Sequence, residues 1–404
     1  MLGIGLQGTL LGLRASLEGF PTTVTGLIMS AYFAGFLGGS LVAPKLVARV
    51  GHIRVFAALA SLASIAALVH ALFVEPLTWG MMRLGSGFCV AGLTVVAESW
   101  LNRSSNNETR GQLISVYMIV TLVGFAGGQL LLNVADPRAF ELFVLVSILV
   151  SFALVPILLS VAPAPSLIAP VHVGLKKLYA ISPLGVVGCL CTGMADGAFF
   201  GMGAVYAEAL GLSVAQISYF MGLALLGGIL LQWPIGFLSD AFDRRTVLAV
   251  VTFLTAGTAI AAVPLAMTSV TGLFVIVTLF GGLYLPMYSL CLAHTNDYLD
   301  AQQMVAASGG MVLVFGIGAS LGPSLAAGAI ALFGSNGFFG FLAAVHIAIG
   351  GFALYRMLKR TAKPLAEQDP TVPIPFSASP LSAILNRKYR IEEETTDAPD
   401  EREY

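Results

Sequence analysis

The strongest constraint on this chain is a series of apolar segments, each about 20 residues long, that short polar turns separate. Each segment is long enough to cross the hydrocarbon core of a bilayer as an α-helix. The eleven segments lie at 22–43, 53–73, 77–98, 111–133, 139–162, 182–206, 214–238, 246–266, 271–295, 303–328 and 337–357. Isolated strands would leave their backbone groups unpaired in lipid. The segments therefore predict an all-α integral membrane protein.

The composition leads to the same class of protein. Charged residues make up 10% of the 404 residues, hydrophobic residues make up 57%, and the mean hydropathy is +0.90. A soluble protein carries roughly a quarter of its residues charged, so lipid must be the outer solvent of this chain. The net charge of −1 gives no reason to expect nucleic-acid binding. No Cys or His spacing is typical of a zinc site, and we expect neither a metal nor a cofactor.

The first apolar stretch is shorter than the others. Met1 to Leu13 would rise about 20 Å as a helix, which is less than the ~30 Å hydrocarbon core. Either this helix is tilted and continues past Arg14, or the start of the chain lies upstream; we favour the shortened start. Counting this helix, we predict twelve transmembrane helices in two pseudo-symmetric six-helix bundles, with truncation of the first helix left open.

The positions of Lys and Arg predict the orientation in the membrane. If residue 1 is cytoplasmic, every Lys and Arg falls on the cytoplasmic side except Arg14, Arg83 and Arg138. Cytoplasmic loops carry an excess of these residues. We therefore expect a multi-pass protein of the bacterial cytoplasmic membrane with both termini inside.

Composition shifts along the chain predict its divisions. A longer polar connection with three prolines and Lys176-Lys177 separates the sixth helix from the seventh. We predict an N-terminal six-helix half at 1–162, a cytoplasmic loop at 163–181 and a C-terminal half at 182–358. The hydrophilic, partly acidic segment 359–404 is expected to be a disordered cytoplasmic tail.

Two short basic segments, half a chain apart, indicate a duplication. They are Pro44–Arg54 and Pro234–Arg245, and each lies between two apolar segments. An offset of 192 residues brings the two basic segments into register. The same offset superposes five glycine pairs, Gly5/Gly197, Gly19/Gly211, Gly35/Gly227, Gly80/Gly272 and Gly124/Gly316.

The second basic segment resembles the signature of the major facilitator superfamily between helices two and three, Gly-x-x-x-Asp-Arg-x-Gly-Arg-Arg. The matching residues are Gly236, Asp240, Arg244 and Arg245, with Ala241 and Asp243 replacing the usual Arg and Gly. The first segment keeps Arg49 and Gly51 but has Pro44 and Ala48 where Gly and Asp are expected.

Three further patterns extend the resemblance. Arg83-x-x-x-Gly87 and Glu98…Arg110-Gly111 resemble superfamily motifs, and Glu98-Ser99-Trp100-Leu101-Asn102 is similar to the YcaD-like bacterial branch. The resemblance implies a secondary transporter that works by alternating access, with its cavity between two six-helix halves.

The charged helix ends suggest a cytoplasmic gate. Arg49, Arg54, Glu98 and Arg110 lie near one level in the first half, and Asp240, Arg244 and Arg245 do so in the second. Charge-assisted hydrogen bonds there would latch helix ends together until the halves move. The alternative is simple anchoring, with solvated side chains. His294 and Asp297 are expected either in this gate or as a solvated loop pair.

Two ionisable residues lie clearly inside apolar spans, where such residues are costly and usually functional. Asp196 is expected to bind a cationic substrate or to carry a proton. Arg83 is expected to hold a substrate anion or to serve as the counter-charge of Asp196. Structural ion pairing is the alternative for both. Gln7 and Gln129 lie on helices that line the cavity in the superfamily, and each is expected either there or in a helix–helix hydrogen bond.

These observations predict a proton-coupled secondary transporter of a small organic solute, acting as a monomer in the bilayer. The chain has no Walker A loop and no HExxH arrangement, so neither ATP drive nor enzymatic activity is expected. The alternative is a non-transporting membrane sensor or scaffold built on a transporter fold. The sequence does not choose between efflux of a cation and uptake of an anionic metabolite.

Overall fold

A computed structural model describes residues 1–104, 110–159 and 174–359, together with positions 364 and 368. The first half of the chain contains α1 (Leu2–Leu17), α2 (Thr22–Val50), α3 (His52–Leu72), α4 (Pro76–Ser104), α5 (Arg110–Leu130), α6 (Glu141–Phe152) and α7 (Leu154–Leu158). The second contains α8 (Leu175–Ile181), α9 (Pro183–Ala209), α10 (Val214–Ala241), α11 (Arg244–Thr268), α12 (Val270–Tyr284), α13 (Met287–Asn296), α14 (Ala301–Phe333) and α15 (Asn336–Lys359). These ranges contain no strand.

The helices confirm the predicted membrane architecture. Within the described residues, 11 spans are long and apolar enough to cross a bilayer, and α6–α7 and α12–α13 each count as one span. The remaining rod is α1, with 16 residues and a rise of about 24 Å. Ten of its residues are buried, so protein rather than lipid surrounds much of it. It continues past Arg14 to Leu17, and with it the described helices, apart from the short α8, form twelve rods.

The rods alternate in direction, so their ends form two opposite faces. We call the end with the turns at Gly19, Gly211 and Gly334 the Gly19 face, and the end with Met1 and the turn at Gly51 the Gly51 face. All four of these glycines have positive φ, between 66° and 95°. Side chains are strained in this region, so glycine suits such abrupt reversals.

The environments of the repeated glycines support the duplication. A Cβ on Gly35 would meet the Leu84 carbonyl on α4, and one on Gly227 would meet the Thr278 carbonyl on α12. Gly19 and Gly211 share a φ of 74°. The two halves therefore bring corresponding helices into direct backbone contact, which only glycine permits.

Of the other glycine pairs, Gly5/Gly197 lies in equivalent helix contacts in the two halves, whereas Gly80/Gly272 does not. Gly5 and Gly197 again face the carbonyls of equivalent partner helices, at Phe125 and Ala319. By contrast, a Cβ on Gly80 would meet no atom within 4 Å, whereas one on Gly272 would contact Leu265.

The two basic segments are mostly helical and are interrupted only by very short turns. The helix α2 includes Pro44 and runs to Val50, and only Gly51 lies outside a helix before α3 begins. In the second copy only Phe242 and Asp243 separate α10 from α11. Polar residues end an apolar segment but not a helix, because the backbone hydrogen bonds of a helix do not depend on the solvent around its side chains.

The two halves of the chain meet mainly at three helix pairs, α1 with α9, α2 with α14, and α5 with α10, and α2 also contacts α9. Ser30 Oγ lies 2.8 Å from Ser324 Oγ, and Ser16 Oγ donates to Glu208 Oε2 at 2.5 Å. Ser218 Oγ donates to the Gln129 carbonyl at 2.6 Å. All three hydrogen bonds lie toward the Gly19 face, so that face is where these contacts join the halves.

The predicted division of the chain stays a prediction. Residues 160–173, which include most of the 163–181 connection, lie outside the described residues. The tail beyond Lys359 likewise lies outside them, apart from two isolated positions.

Candidate functional site

A central cavity lies between the two halves. It has about 1020 Å³ of empty space, part of it open to solvent. Asp196 on α9, Arg83 on α4 and Gln129 on α5 all line it. The other lining residues are mainly apolar or aromatic: Met1, Ile4, Gly5, Gly8, Thr9, Tyr32, Phe33, Phe36, Leu37, Ser40, Val90, Thr94, Phe125, Phe200, Tyr288, Val312, Phe315, Gly316 and Ala319. The structure thus brings together three of the four predicted substrate or proton residues.

The lining residues show how the cavity is placed along the bundle. Asp196 is the midpoint of α9, about 20 Å from either end. Arg83 lies about 10 Å into α4 from the Gly19 face. Met1 and Ser40 extend the lining toward the Gly51 face, since Ser40 is about 27 Å along α2 from its start. The cavity therefore begins on the inner side of the hydrogen bonds at the Gly19 face and extends toward the Gly51 face.

Asp196 is held in place by close helix packing. Gly193 and Gly197 flank it, and a Cβ on either would meet a carbonyl of α14, at Phe315 and Ala319. The carboxyl is 2% exposed, and its Oδ2 is buried with no hydrogen-bond partner among the described residues. The equally unpartnered Tyr284 hydroxyl is close enough to interact electrostatically with it. A buried carboxyl without a basic partner favours its protonated form.

Arg83 also has no oppositely charged partner among the residues that the structure describes. Its guanidinium carbon lies 4.3 Å from the centroid of the Tyr32 ring, and Nη2 lies 3.6 Å from Met29 Sδ. Its Nε is buried without a hydrogen-bond acceptor, and the side chain is 4% exposed. Within the described part of the chain it forms no ion pair. In this conformation it is therefore not the counter-charge of Asp196.

The two glutamines have different surroundings. Thr9 Oγ1 donates to Gln129 Oε1 at 2.5 Å, and Gln129 Nε2 donates to the Gly5 carbonyl at 3.1 Å. Gln129 thus joins α1 to α5 while it borders the cavity. Gln7 does not line the cavity, and its buried Nε2 has no partner in the described ranges. Because Gly12 on α1 lies opposite Gly201 on the parallel α9, Gln7 lies level with Asp196.

A second cluster of charges lies at the Gly51 face, around Arg244. Its guanidinium donates from Nη1 to Asp297 Oδ1 at 2.6 Å and from Nη2 to Asp240 Oδ1 at 3.1 Å. Its Nε donates to Ser239 Oγ at 3.0 Å. Arg244 is 1% exposed and Asp297 is 3% exposed, so Asp297 is not a solvated loop residue. These bonds join α10 and α11 to the end of α13.

The residues next to this cluster stabilise the N-terminus of α11. Asp243 caps α11, because its Oδ1 accepts from the Arg245 backbone N–H at 3.1 Å. Arg245 Nη2 also donates to Asp243 Oδ2 at 3.1 Å. Gly236 lies two turns before Phe242 on α10, and a Cβ there would meet no atom within 4 Å.

The corresponding region of the first half is built differently. Arg49 and Arg54 are exposed, and neither forms an ion pair with another described residue. His52 is buried instead, with its Nε2 at 2.9 Å from Ser99 Oγ and its ring beside Trp100. Glu98 is also buried, next to Ser99. The side chain of Arg110 lies outside the described residues, and the gate assigned to this group stays a prediction.

Several of these contacts were not expected from sequence. The stacking of Arg83 on Tyr32 joins residues 51 positions apart, and Ser16 and Glu208 are 192 positions apart. The only sequence signal for the second pair is its separation, which equals the repeat offset. Arg244 and Asp297 were both gate candidates, but their direct pairing across 53 positions was not predicted.

Comparisons with known proteins agree with this architecture. The profile of the Major Facilitator Superfamily matches residues 185–391, and the profile described as Sugar (and other) transporter matches residues 10–163. An uncharacterized MFS-type transporter of Yersinia enterocolitica is 28% identical over 376 residues, which is 91% of this chain and 94% of the relative. The MFS-type transporter YcaD of Escherichia fergusonii is 28% identical over 367 residues, with coverage of 90% and 94%.

Two solved structures share the fold. The nucleoside transporter NupG superposes with a TM-score of 0.63 at 14% identity, over 89% of this chain and all of that one. A bacterial homolog of the human lysosomal transporter Spinster, in an inward-facing and unoccupied conformation, gives a TM-score of 0.66 at 15% identity, over 88% and 92%. At these identities the likeness is one of fold alone.

Proposed function

Because this chain belongs to the major facilitator superfamily, whose profile covers half of it, we propose that it is a secondary active transporter of a small organic solute. It is a multi-pass protein of the bacterial inner membrane and a membrane transporter by family and fold. The proposal adds three features: proton coupling, alternating access and action as a monomer. The observation that carries it is Asp196, an unpartnered carboxyl in a cavity between the two halves.

Proton coupling follows from the surroundings of Asp196. A carboxylate without a cationic partner is costly in an apolar environment, and protonation removes that cost. When the cavity opens to water, hydration lowers the cost of the charged form and the proton can leave. Each change of access therefore changes the preferred protonation state of Asp196. Its position, midway along α9, makes it reachable from either face in turn.

Alternating access is supported by the contacts between the halves. The positive-inside pattern supports a cytoplasmic Gly51 face, and with that orientation the hydrogen bonds between the halves lie at the outer face. The hydrogen bond between Ser30 and Ser324 is worth only about 0.5–1.5 kcal/mol, and the bond from Ser16 to the Glu208 carboxylate is worth about 1.5–3 kcal/mol. Contacts of this size can be exchanged for others when the halves 1–162 and 182–358 rock about the cavity.

The test is solute uptake into proteoliposomes that contain the purified protein, screened over metabolites and drugs with and without a pH gradient. We expect the Asp196→Asn variant to lose gradient-driven accumulation and to retain exchange of substrate across the membrane. Glu75→Gln is the matched control, because Glu75 is an exposed carboxylate at the turn before α4. Undiminished gradient-driven uptake in Asp196→Asn would refute proton coupling through this residue. Binding without flux of any solute would favour the sensor alternative.

A further inference from the structure

The charges of the central cavity are not balanced against each other. Arg83 and Asp196 line the same space, yet neither forms an ion pair with a described residue. Arg83 has the Tyr32 ring, the Met29 sulfur and no acid. Two buried, opposite charges that stay apart each need their own compensation.

The two groups differ in how they can be compensated. A carboxyl becomes neutral by binding one proton, and Asp196 can do so in place. A guanidinium cannot be deprotonated in a protein, so the charge of Arg83 persists in every state of the cavity. Its buried Nε is also left without an acceptor. A group that brings negative charge and acceptor oxygens meets both needs of Arg83 at once.

The need of Arg83 for a negative partner discriminates between anionic, neutral and cationic solutes. An anion on Arg83, with a proton on Asp196, leaves these two sites with no net charge. A cation on Asp196 would leave Arg83 uncompensated, and a cation beside protonated Asp196 would add a second positive charge. A neutral solute would also leave Arg83 uncompensated. Low-dielectric surroundings penalise the last three cases.

The walls of the cavity indicate the body of the solute. Phe33, Phe36, Phe125, Phe200 and Phe315 surround the space that Arg83 borders. Phenyl rings bind planar apolar groups through large contact areas and offset or edge-to-face stacking. A carboxylate accepts two parallel hydrogen bonds from the fork of a guanidinium.

We propose that the transported solute is a small organic anion, a carboxylate on an aromatic or similarly planar apolar body, with its carboxylate bound by Arg83. This inference rests on the proposed function and specifies its substrate class. Transport of one such monoanion together with one proton on Asp196 moves no net charge. Uptake therefore responds to the pH gradient but not to the membrane potential.

The binding test uses three probes of nearly equal size that differ in charge: benzoate, benzamide and benzylamine. Thermal unfolding of the purified full-length protein in detergent is followed with each probe. We expect benzoate to raise the melting temperature of the wild type most. Arg83→Gln should bind benzoate about tenfold to a hundredfold more weakly, because a charge-assisted hydrogen-bond pair is lost. Arg83→Lys, which keeps the charge without the fork, should bind with an intermediate affinity.

The outcomes separate this inference from the function on which it rests. Stabilisation by benzylamine equal to that by benzoate, no effect of benzoate, or an unchanged benzoate effect in Arg83→Gln overturns the anion site. If Arg83→Gln does not fold, the ranking of the three probes on the wild type decides the matter. If the pH gradient drives uptake of amines or neutral solutes only, the anion site is wrong but the proposed transport function stands. Arg83-dependent benzoate binding without flux of any solute supports the anion site and overturns transport.

Discussion

The ion-pair cluster at the Gly51 face allows the same substitution, Asp to Asn, to be compared at a buried and at an exposed partner of Arg244. Arg244 contacts both Asp297, which is 3% exposed, and Asp240, which is 36% exposed. Replacing either by Asn keeps the shape of the side chain and removes its charge. The variants Asp297→Asn and Asp240→Asn therefore differ mainly in how much water screens the pair that is lost.

The expected magnitudes differ several-fold. For two unit charges about 4 Å apart, the interaction is about 4 kcal/mol at an effective dielectric constant of about 20 and about 1 kcal/mol in water. Breaking a buried pair by removing one partner typically costs about 3–5 kcal/mol. We expect Asp297→Asn to lower the free energy of unfolding by about 3 kcal/mol, since Asn can still accept one hydrogen bond. Asp240→Asn should cost about 1 kcal/mol or less.

The assay is an SDS titration of the protein in dodecylmaltoside micelles, followed by circular dichroism. The double variant adds a second test. Once Asp297 has lost its charge, Asp240 becomes the principal acid beside Arg244. Asp240→Asn should then cost more in the Asp297→Asn background than in the wild type, because contacting residues do not act additively.

Equal losses from the two single variants would refute the reasoning, because burial would then not control the strength of the pair. A larger loss from Asp240→Asn would do the same. Strict additivity in the double variant would show that the two acids do not share Arg244 as their partner.

Two further predictions concern glycine contacts, and Gly38 supplies the control for both because a Cβ there would meet no atom within 4 Å. Gly35→Ala should destabilise the protein by about 1–3 kcal/mol in the same SDS titration, because the added Cβ would press on the Leu84 backbone. Gly38→Ala should leave the stability unchanged, and equal effects of the two substitutions would contradict this packing. Gly26 faces Ala327 across the two halves, so Gly26→Val should hold the Gly19 face open and Gly38→Val should not. In a Met29→Cys background, a membrane-impermeant thiol reagent added from outside should label the cysteine faster when Gly26 is replaced by Val. An unchanged labelling rate would show that the contact of Gly26 with Ala327 does not close the Gly19 face.

The helices could be predicted closely from the sequence, but the connections between them could not. The segment 214–238 corresponds to α10 at Val214–Ala241, and 337–357 corresponds to α15 at Asn336–Lys359. Hydropathy locates such segments because each must match the same ~30 Å of hydrocarbon. It does not locate helix ends, and Pro44–Val50 is accordingly part of α2.

The charged residues of the candidate site were predictable from the sequence, but the full set of residues around the cavity was not. Asp196 and Arg83 are noticeable in the sequence because a charge within an apolar span is costly wherever it lies. Their relation was not predictable: the sequence left a mutual ion pair open, and the structure has none between them. His52 and Arg244 occupy corresponding motif positions and both are buried, yet His52 pairs with Ser99 whereas Arg244 pairs with Asp297.

The sequence by itself determined the class of protein, the number of helices and the duplication, because hydropathy, charge and glycine spacing act along the chain and against the solvent. The tertiary structure alone decided which charges are compensated. Arg244 meets Asp297, 53 residues away, whereas Arg83 meets the ring of Tyr32 and, in the described part of the chain, no acid. Coulomb energies depend on distances of a few ångströms and on the water excluded between the groups, and folding sets both.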